Sequence, residues 1–185
     1  FPTRRSSDLP EKVMYEFGFG LSYSKFDIEI LKAETVTEES KVGGAWGSHG
    51  VSIDNGTCAG KEVQITICMK NTGDCRGKEV VQVYVQAPQG KLGKPARELK
   101  AFAKTKELAP GEKQKMTLHI PVKNLASYDD SGVAGHKSCY VSEAGAYVFH
   151  VGNSVRNTKI ADVDGKGAYI VKELCVTEEI GRASC

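Results

Sequence analysis

Long apolar runs are missing from this 185-residue sequence. No stretch approaches the roughly 20 apolar residues that a membrane-spanning helix requires, and no basic stretch followed by an apolar one marks a secretory signal peptide. The sequence therefore predicts no membrane partner. A dinucleotide-binding fingerprint is missing as well, because Gly18-Phe19-Gly20 lacks a third glycine and follows no predicted strand.

The two ends of the chain are related in an unusual way. One back-translation of residues 1–9 has a reverse complement that encodes residues 180–185, and the string resembles a sequencing adapter. Two unrelated termini have little reason to encode each other. We therefore expect residues 1–9 and 179–185 to be adapter-derived artefacts and the remainder to be cut from a longer protein.

A strong excess of charge is also missing. The net charge is +2, and without the two ends Lys+Arg falls from 25 to 22 and Asp+Glu from 23 to 22, which leaves a net charge of zero. Nucleic-acid-binding domains usually carry a clear basic excess. The sequence therefore predicts no nucleic-acid partner.

Cysteine pairs of the Cys-x-x-Cys type do not occur. Without Cys185 an odd set remains, made up of Cys58, Cys68, Cys75, Cys139 and Cys175. An odd set without such a pair argues against a zinc site and against a full disulfide framework. We expect no metal and no cofactor, and a reducing, cytoplasmic location, with a secreted or periplasmic one as the alternative.

The clearest pattern that is present lies in residues 61–88. Val63, Ile65, Ile67 and Met69 alternate with polar residues, and a second run alternates valines at 81, 83 and 85 with Gln82, Tyr84 and Gln86. A period of two is typical of a strand with one buried face and one wet face. Because Asn71-Thr72-Gly73-Asp74 favours a turn, we interpret the two runs as a hairpin, whose apolar face a second sheet must cover.

Further strands and one long loop complete the predicted architecture. Residues 25–33 place Phe26, Ile28 and Ile30 on one face, and residues 169–176 can supply the last strand. Residues 35–60 form a loop, because the glycine-rich stretch at 40–60 follows neither period. The loop carries the only tryptophan, Trp46. The fold class is therefore all-β, an antiparallel β-sandwich.

Several short motifs resemble one known family. They are F-G-F-G-L-S-Y at residues 17–23, the run from N-T-G to Q-A-P at 71–88, R-E-L-K-A-F at 97–102, L-A-P-G-E at 108–112, L-A-S-Y-D at 125–129 and E-A-G-A-Y-V-F-H-V-G at 143–152. Together they are similar to the immunoglobulin-like, fibronectin type III-like C-terminal domain of family 3 glycoside hydrolases, which include β-glucosidases. Ala101 and Ala144 stand where that family usually has glycine and proline. The resemblance implies that residues 10–25 are the tail of a preceding α/β sandwich domain and its linker, and that 26–178 are the fibronectin type III-like sandwich.

The resemblance also implies where the chemistry lies. Family 3 enzymes are retaining glycosidases, which need two carboxyl groups about 5 Å apart, and the family carries them on a catalytic barrel and on the α/β sandwich domain. We therefore predict no catalytic residue here. The local acid pairs Asp129-Asp130 and Glu38-Glu39 are expected to be solvated surface charges, Asp162-Val163-Asp164-Gly165 is expected to be a turn, and the four histidines are scattered.

The function that follows is that of a non-catalytic accessory domain. We expect it to support the catalytic barrel and α/β sandwich domains of one parent chain, whose substrates are terminal β-linked glucosides or xylosides. Trp46 is the candidate for a contact close to the carbohydrate substrate, and packing on its own domain is the competing interpretation. Residues 15–23 are expected to wedge between domains. The alternative function is a free-standing immunoglobulin-like adhesion or carbohydrate-binding module.

Overall fold

The computed structural model describes residues 13–37 and 60–179. Eleven β-strands in these ranges form three antiparallel sheets. In chain order the strands are β1 (Phe26–Thr37), β2 (Lys61–Asn71), β3 (Val80–Gln86), β4 (Glu98–Lys104), β5 (Lys113–Pro121), β6 (Ser127–Asp129), β7 (Cys139–Ser142), β8 (Gly145–Gly152), β9 (Thr158–Ala161), β10 (Tyr169–Val171) and β11 (Cys175–Glu179). The order of strands is β1-β2-β5 in the first sheet, β10-β8-β3-β4 with β9 also paired to β8 in the second, and β11-β7-β6 in the third. The all-β prediction is confirmed. Among these residues no helix is long and apolar enough to cross a membrane.

The first sheet is built from alternating sequences. Its strands are β1 (Phe26–Thr37), β2 (Lys61–Asn71) and β5 (Lys113–Pro121). The predicted inward residues Val63, Ile65, Ile67 and Met69 are completely buried. On β5, His119 points outward. β1 runs further than predicted, because a bulge at Leu31 shifts its register on β2 and the strand continues to Thr37.

The second sheet lies over the first. Its strands are β3 (Val80–Gln86), β4 (Glu98–Lys104), β8 (Gly145–Gly152), β9 (Thr158–Ala161) and β10 (Tyr169–Val171). Its inward residues Val81, Val83, Phe149 and Val151 share one buried cluster with the apolar residues of β2. Two sheets therefore enclose one core, as in a β-sandwich.

The predicted hairpin of residues 61–88 is wrong. β2 pairs with β1 and β5, whereas β3 pairs with β4 and β8, so the connection between them crosses from one sheet to the other. Asn71 fixes this crossing: its amide donates to the carbonyls of Cys75 at 2.8 Å and Leu108 at 2.9 Å. Its Oδ1 accepts the Ser24 hydroxyl at 2.6 Å. A period of two predicts a strand but does not identify its neighbour.

The third sheet is small and was not predicted. It consists of β6 (Ser127–Asp129), β7 (Cys139–Ser142) and β11 (Cys175–Glu179). The single last strand expected at 169–176 is therefore two strands in different sheets, β10 and β11. Two charged residues between these strands, Lys172 and Glu173, are exposed where the chain changes sheet.

Two of the short motifs form well-defined corners of the fold. Gly111 has a φ of +79°, and the Glu112 N–H donates to the Ala109 carbonyl at 2.9 Å, which makes Ala109–Glu112 a type II turn. Tyr147 at the start of β8 is buried, and its hydroxyl donates to the Glu143 carbonyl at 3.0 Å. That bond to the backbone a few residues upstream is a tyrosine corner, a feature of immunoglobulin-like sandwiches.

Candidate functional site

The outer side of β3 is not the wet face that its alternation predicts. Gln82 and Tyr84 point away from the core, yet they are only 7% and 1% exposed. Both are covered by the chain segment of residues 13–25, which we call the N-terminal strap. This strap lies across the second sheet before β1 begins.

Hydrogen bonds hold the strap in place. The Gln82 side-chain amide donates to the carbonyls of Gly18 and Asn153, both at 2.9 Å. The Tyr84 hydroxyl donates to Gln82 Oε1 at 2.5 Å and lies 3.4 Å from the Phe17 carbonyl. The Val155 N–H donates to that same Phe17 carbonyl at 3.0 Å. The strap is therefore tied both to β3 and to the loop after β8.

Gly18 allows this close approach. Its φ of +79° lies in the left-handed region, and a Cβ there would collide with Gln82 Oε1 and the Tyr84 hydroxyl. Only glycine adopts this φ without strain and has no Cβ to collide with the two side chains. Gly20, two residues later, has open space around its own Cβ position. The first glycine of the motif is thus required by packing, and the second is not.

A carboxylate anchors the start of the strap. The Ser154 hydroxyl donates to Glu16 Oε1 at 2.8 Å, and the Phe19 N–H donates to the Glu16 carbonyl at 3.1 Å. The backbone N–H of Glu16 and the Ser154 hydroxyl both lower the pKa of the Glu16 carboxyl. The charge of Arg156 lowers this pKa further. The carboxylate is therefore ionised and engaged in structure at neutral pH.

The other side of the strap is apolar and open. Six of its large side chains are exposed: Met14, Tyr15, Phe17, Phe19, Leu21 and Tyr23. The rings of Tyr15 and Phe19 lie 5.1 Å apart, and Phe17 meets Tyr84 edge-on at 6.3 Å between centroids. A group of exposed aromatic side chains on one segment is typical of a surface that contacts another protein part.

His150 lies on the same sheet face, opposite Tyr84 in the register of β3 and β8. It is 5% exposed, and its Nε2 lies 3.3 Å from Gln86 Oε1. Burial lowers the pKa of His150, and the Arg97 guanidinium lowers it further. Burial, together with the Glu16 carboxylate, raises the pKa of the Tyr84 hydroxyl. Both side chains are therefore neutral at pH 7.

A buried ion pair lies in the loop between β3 and β4. Lys94 Nζ is 3.7 Å from Glu143 Oε2, and both side chains are almost fully buried. The ammonium also lies 3.3 Å from the Tyr147 hydroxyl and 5.4 Å from the centre of that ring. The Lys91 N–H donates to Glu143 Oε1 at 2.7 Å. Burial lowers the pKa of Lys94, and the Glu143 carboxylate opposes that shift. The pair fastens the loop to the tyrosine corner.

The predicted surface role of Asp129 is wrong. Its side chain is completely buried, and its carboxylate accepts the N–H groups of Gly132, Val133 and Ala134 at 2.7–2.9 Å. Burial alone would raise the pKa of Asp129, but these bonds together hold it below its usual value. The residue therefore organises its own loop.

Both acids at the predicted turn accept hydrogen bonds from backbone N–H groups. Asp162 Oδ1 accepts the Gly167 N–H at 2.6 Å, and Asp164 Oδ1 accepts the Thr35 N–H at 2.9 Å. Residues Val163–Gly165 form a short 3-10 turn, as expected. Within the described ranges no group of three or more His, Cys, Asp or Glu side chains could hold a metal ion.

Two predicted positions lie outside the described residues. Trp46 and the pair Glu38-Glu39 fall between 37 and 60, so the substrate-adjacent role of Trp46 stays a prediction. A cavity of 110 Å³ beside the strap is lined by Glu16, Phe19 and Ser154 among others. It is well below the roughly 300 Å³ of a typical small-molecule site. This cavity is therefore too small for a typical substrate, whereas the strap offers a contact surface.

Comparison with known proteins agrees with this geometry. The family described as Fn3-like, the fibronectin type III-like domain, matches residues 79–155. The matched region, which is less than half of the chain, is similar to a fibronectin type III-like domain. It begins just before β3 and ends in the loop that holds the strap. It therefore includes Gln82, Tyr84 and Ser154.

The relatives that this chain matches in sequence include β-glucosidases. It is 42% identical over 149 residues to a β-glucosidase of Ruminococcus albus, where the match covers 80% of this chain and 13% of the relative. It is 43% identical over 152 residues to β-glucosidase A of Butyrivibrio fibrisolvens, covering 82% of this chain and 17% of the relative. The chain thus spans less than a fifth of these relatives, as an accessory domain does.

Solved structures similar to this chain also include β-glucosidases of which the chain covers only a small part. A β-glucosidase from Paenibacillus barengoltzii matches with a TM-score of 0.76 and 47% identity, over 94% of this chain and 17% of the other. β-Glucosidase 3B from Thermotoga neapolitana, in complex with α-D-glucose, matches with a TM-score of 0.61 and 37% identity, over 89% and 18%. The sequence motifs resemble this family, but they do not single out Gln82, Tyr84 and Ser154 as residues that hold the strap. A glutamine and a tyrosine alternating with valines were the sign of a second covered face.

Proposed function

We propose that this fibronectin type III-like domain is a non-catalytic accessory part of a family 3 glycoside hydrolase and supports its catalytic domains. One observation carries the proposal: the strap is fastened to the second sheet by buried hydrogen bonds and presents an open row of aromatic side chains on its other side. A fixed apolar surface of this kind fits a rigid support for a neighbouring domain.

The activity proposed for the parent enzyme is that of its relatives. Proteins named β-glucosidase match in sequence and in structure, and a putative β-xylosidase of Formosa agariphila is 32% identical over 143 residues. We infer hydrolysis of terminal β-linked glucosides or xylosides by a retaining mechanism, on a catalytic barrel and an α/β sandwich domain of the same polypeptide. The carbohydrate substrate is therefore a ligand of the parent.

The free-standing adhesion or carbohydrate-binding module is the weaker candidate. The relatives are much longer than this chain, which covers only 13% and 17% of the first two. That proportion supports one domain of a multidomain enzyme. Recovering the reading frame around this chain separates the two functions, because barrel and α/β domains favour the enzyme and repeated sandwiches favour adhesion.

We also propose a reducing, cytoplasmic location, with the secreted or periplasmic alternative retained. Four cysteines in the described part of the chain are free, namely Cys68, Cys75, Cys139 and Cys175. Free thiols are usual in reducing compartments. Counting reactive thiols in the parent purified without reductant tests this location, since disulfide formation there would contradict it.

A chimera tests the proposed function. The matched region of the P. barengoltzii β-glucosidase is replaced by residues 13–179 of this chain, and hydrolysis of an aryl β-glucoside is measured. We expect no turnover by the isolated chain, turnover by the chimera, and loss of soluble active enzyme when the region is deleted. Turnover by the isolated chain, or a folded but inactive chimera, would contradict the proposal.

A further inference from the structure

The outer face of the second sheet carries exposed apolar side chains well beyond the strap. Phe102 on β4 is 71% exposed, Ile160 on β9 is 61% exposed and Ile170 on β10 is 48% exposed. Phe102 is opposite Gln82 in register, and Ile160 is opposite His150. Three strands of the sheet therefore add an apolar side chain to the face on which the strap lies.

The strap adds an aromatic side chain to the same face. Phe17, which is 66% exposed, meets Tyr84 edge-on near the middle of the sheet. We call the surface formed by Phe17, Phe102, Ile160 and Ile170 the outer apolar face. Its buried floor is made of Gln82, Tyr84 and His150, all of them uncharged at neutral pH.

The outward side of the first sheet has the opposite character. Its strands present polar and charged side chains to solvent, among them Lys70, Lys115, Thr117 and His119. A solvated face of an antiparallel sheet normally looks like this. Only one of the two large sheets has the polar exterior expected of a domain surrounded by water, which indicates that the other is covered.

The size of the relatives indicates what covers it. The chain spans 17% of the P. barengoltzii enzyme, so most of such a polypeptide lies outside the described residues. The strap is itself the first layer on this face, and its own aromatic side chains remain open. Another domain of the same polypeptide that packs on this face would remove from water both the exposed side chains of the strap and those of the second sheet.

We propose that the outer apolar face packs against an apolar surface of another domain of the same polypeptide, while the first sheet faces solvent. The inference rests on the proposed function, because it takes its partner from a multidomain enzyme. It adds which face makes the contact and names Phe102 and Ile160 as contact residues.

The test uses two substitutions on this face and one matched control. Phe102→Glu and Ile160→Glu place a charge on the face, and Leu31→Glu does so at an apolar residue of the first sheet that is 47% exposed. Each is made in the isolated chain and in the chimera. We expect all three isolated variants to keep similar thermal midpoints. In the chimera the two face variants should lower the midpoint by about 3 °C or more, and Leu31→Glu should not.

Hydrogen exchange gives a second readout that is independent of activity. β4 and β1 are end strands of their sheets. We expect backbone amides of β4 to exchange at least about tenfold more slowly in the chimera than in the isolated chain, and those of β1 to be unchanged. If the chimera does not fold, the isolated chain is co-expressed with the P. barengoltzii enzyme that lacks its matched region, so that the two pieces can assemble as they fold, and the same peptides are compared.

The outcomes separate the two proposals. Protection of β4 in an inactive chimera supports the contact face and counts against the proposed activity. An active chimera whose β4 is unprotected, and in which all three variants behave alike, overturns the contact face. The contact face is also overturned if the isolated chain forms a dimer that Phe102→Glu disrupts and β4 is unprotected both in the chimera and in the two-piece enzyme. In that case the partner of this face is a second copy of the chain.

Discussion

The carbonyl of Gly18 accepts a hydrogen bond of 2.9 Å from the side-chain amide of Gln82. The two residues are 64 positions apart, and the bond joins the strap to the middle of the second sheet. It explains why a glutamine lies on a strand face that is closed to solvent. It also explains why the preceding chain cannot turn away from the sandwich before β1 begins.

Replacing Gly18 tests this joint. Gly18→Ala should lower the free energy of unfolding by about 2 kcal/mol, because alanine is strained at positive φ and its Cβ collides with Gln82 and Tyr84. Gly20→Ala, at a position with open space, should change it by less than about 0.5 kcal/mol. Urea denaturation measures both. Equal effects of the two substitutions would contradict the close packing of Gly18 on Gln82 and Tyr84.

Tyr84→Phe removes a single buried hydroxyl. Gln82 Oε1 then loses its donor at 2.5 Å, and we expect a loss of about 1–2 kcal/mol of stability. Tyr128→Phe is the matched control, because Tyr128 is 42% exposed and should change stability by less than about 0.5 kcal/mol. Thermal denaturation compares the two variants. A neutral Tyr84→Phe would mean that the hydroxyl does not hold the strap.

His150 should make stability depend on pH. Its pKa is lowered from 6.5 by burial and by Arg97, so the unfolded chain binds a proton more readily than the folded one. The stabilisation is therefore fully present above pH 6.5 and is lost as the pH falls through the lower folded pKa. His150→Gln should flatten the decline in thermal midpoint below pH 6.5. An unchanged decline in His150→Gln would refute the assignment.

The buried pair Lys94–Glu143 should show strong coupling. Lys94→Met leaves the Glu143 carboxylate buried without a cation and should cost about 3 kcal/mol. Adding Glu143→Gln to that variant should restore part of the loss. Lys159 and Asp27, an exposed pair at 3.3 Å, are the control, and their coupling should stay below about 1 kcal/mol. Double-mutant cycles by urea denaturation measure both couplings, and similar values for the two pairs would contradict this account.

The strands were predictable where one face is apolar and the other polar. The alternation of β2 located its four inward residues correctly. It could not say that β3 belongs to the other sheet, because pairing depends on contacts distant in sequence. The bulge at Leu31 hid the end of β1, since it changes the phase of the alternation.

The candidate site was less accessible to sequence reasoning. The motif at residues 17–23 identified the strap, but its seat on Gln82 and Tyr84 depends on tertiary packing. Asp129 was expected at the surface because acids usually lie there. The loop from 130 to 138 instead turns its N–H groups onto the carboxylate. Local hydrogen bonding outweighed the general preference of the residue type.

Calorimetry of the chimera tests the central claim most directly, namely that packing against the rest of its polypeptide stabilises this domain. The account predicts that residues 13–179 unfold together with the remainder of the chimera, at a midpoint above that of the isolated chain. A separate transition at the midpoint of the isolated chain would contradict it, because the domain would then gain nothing from its neighbours.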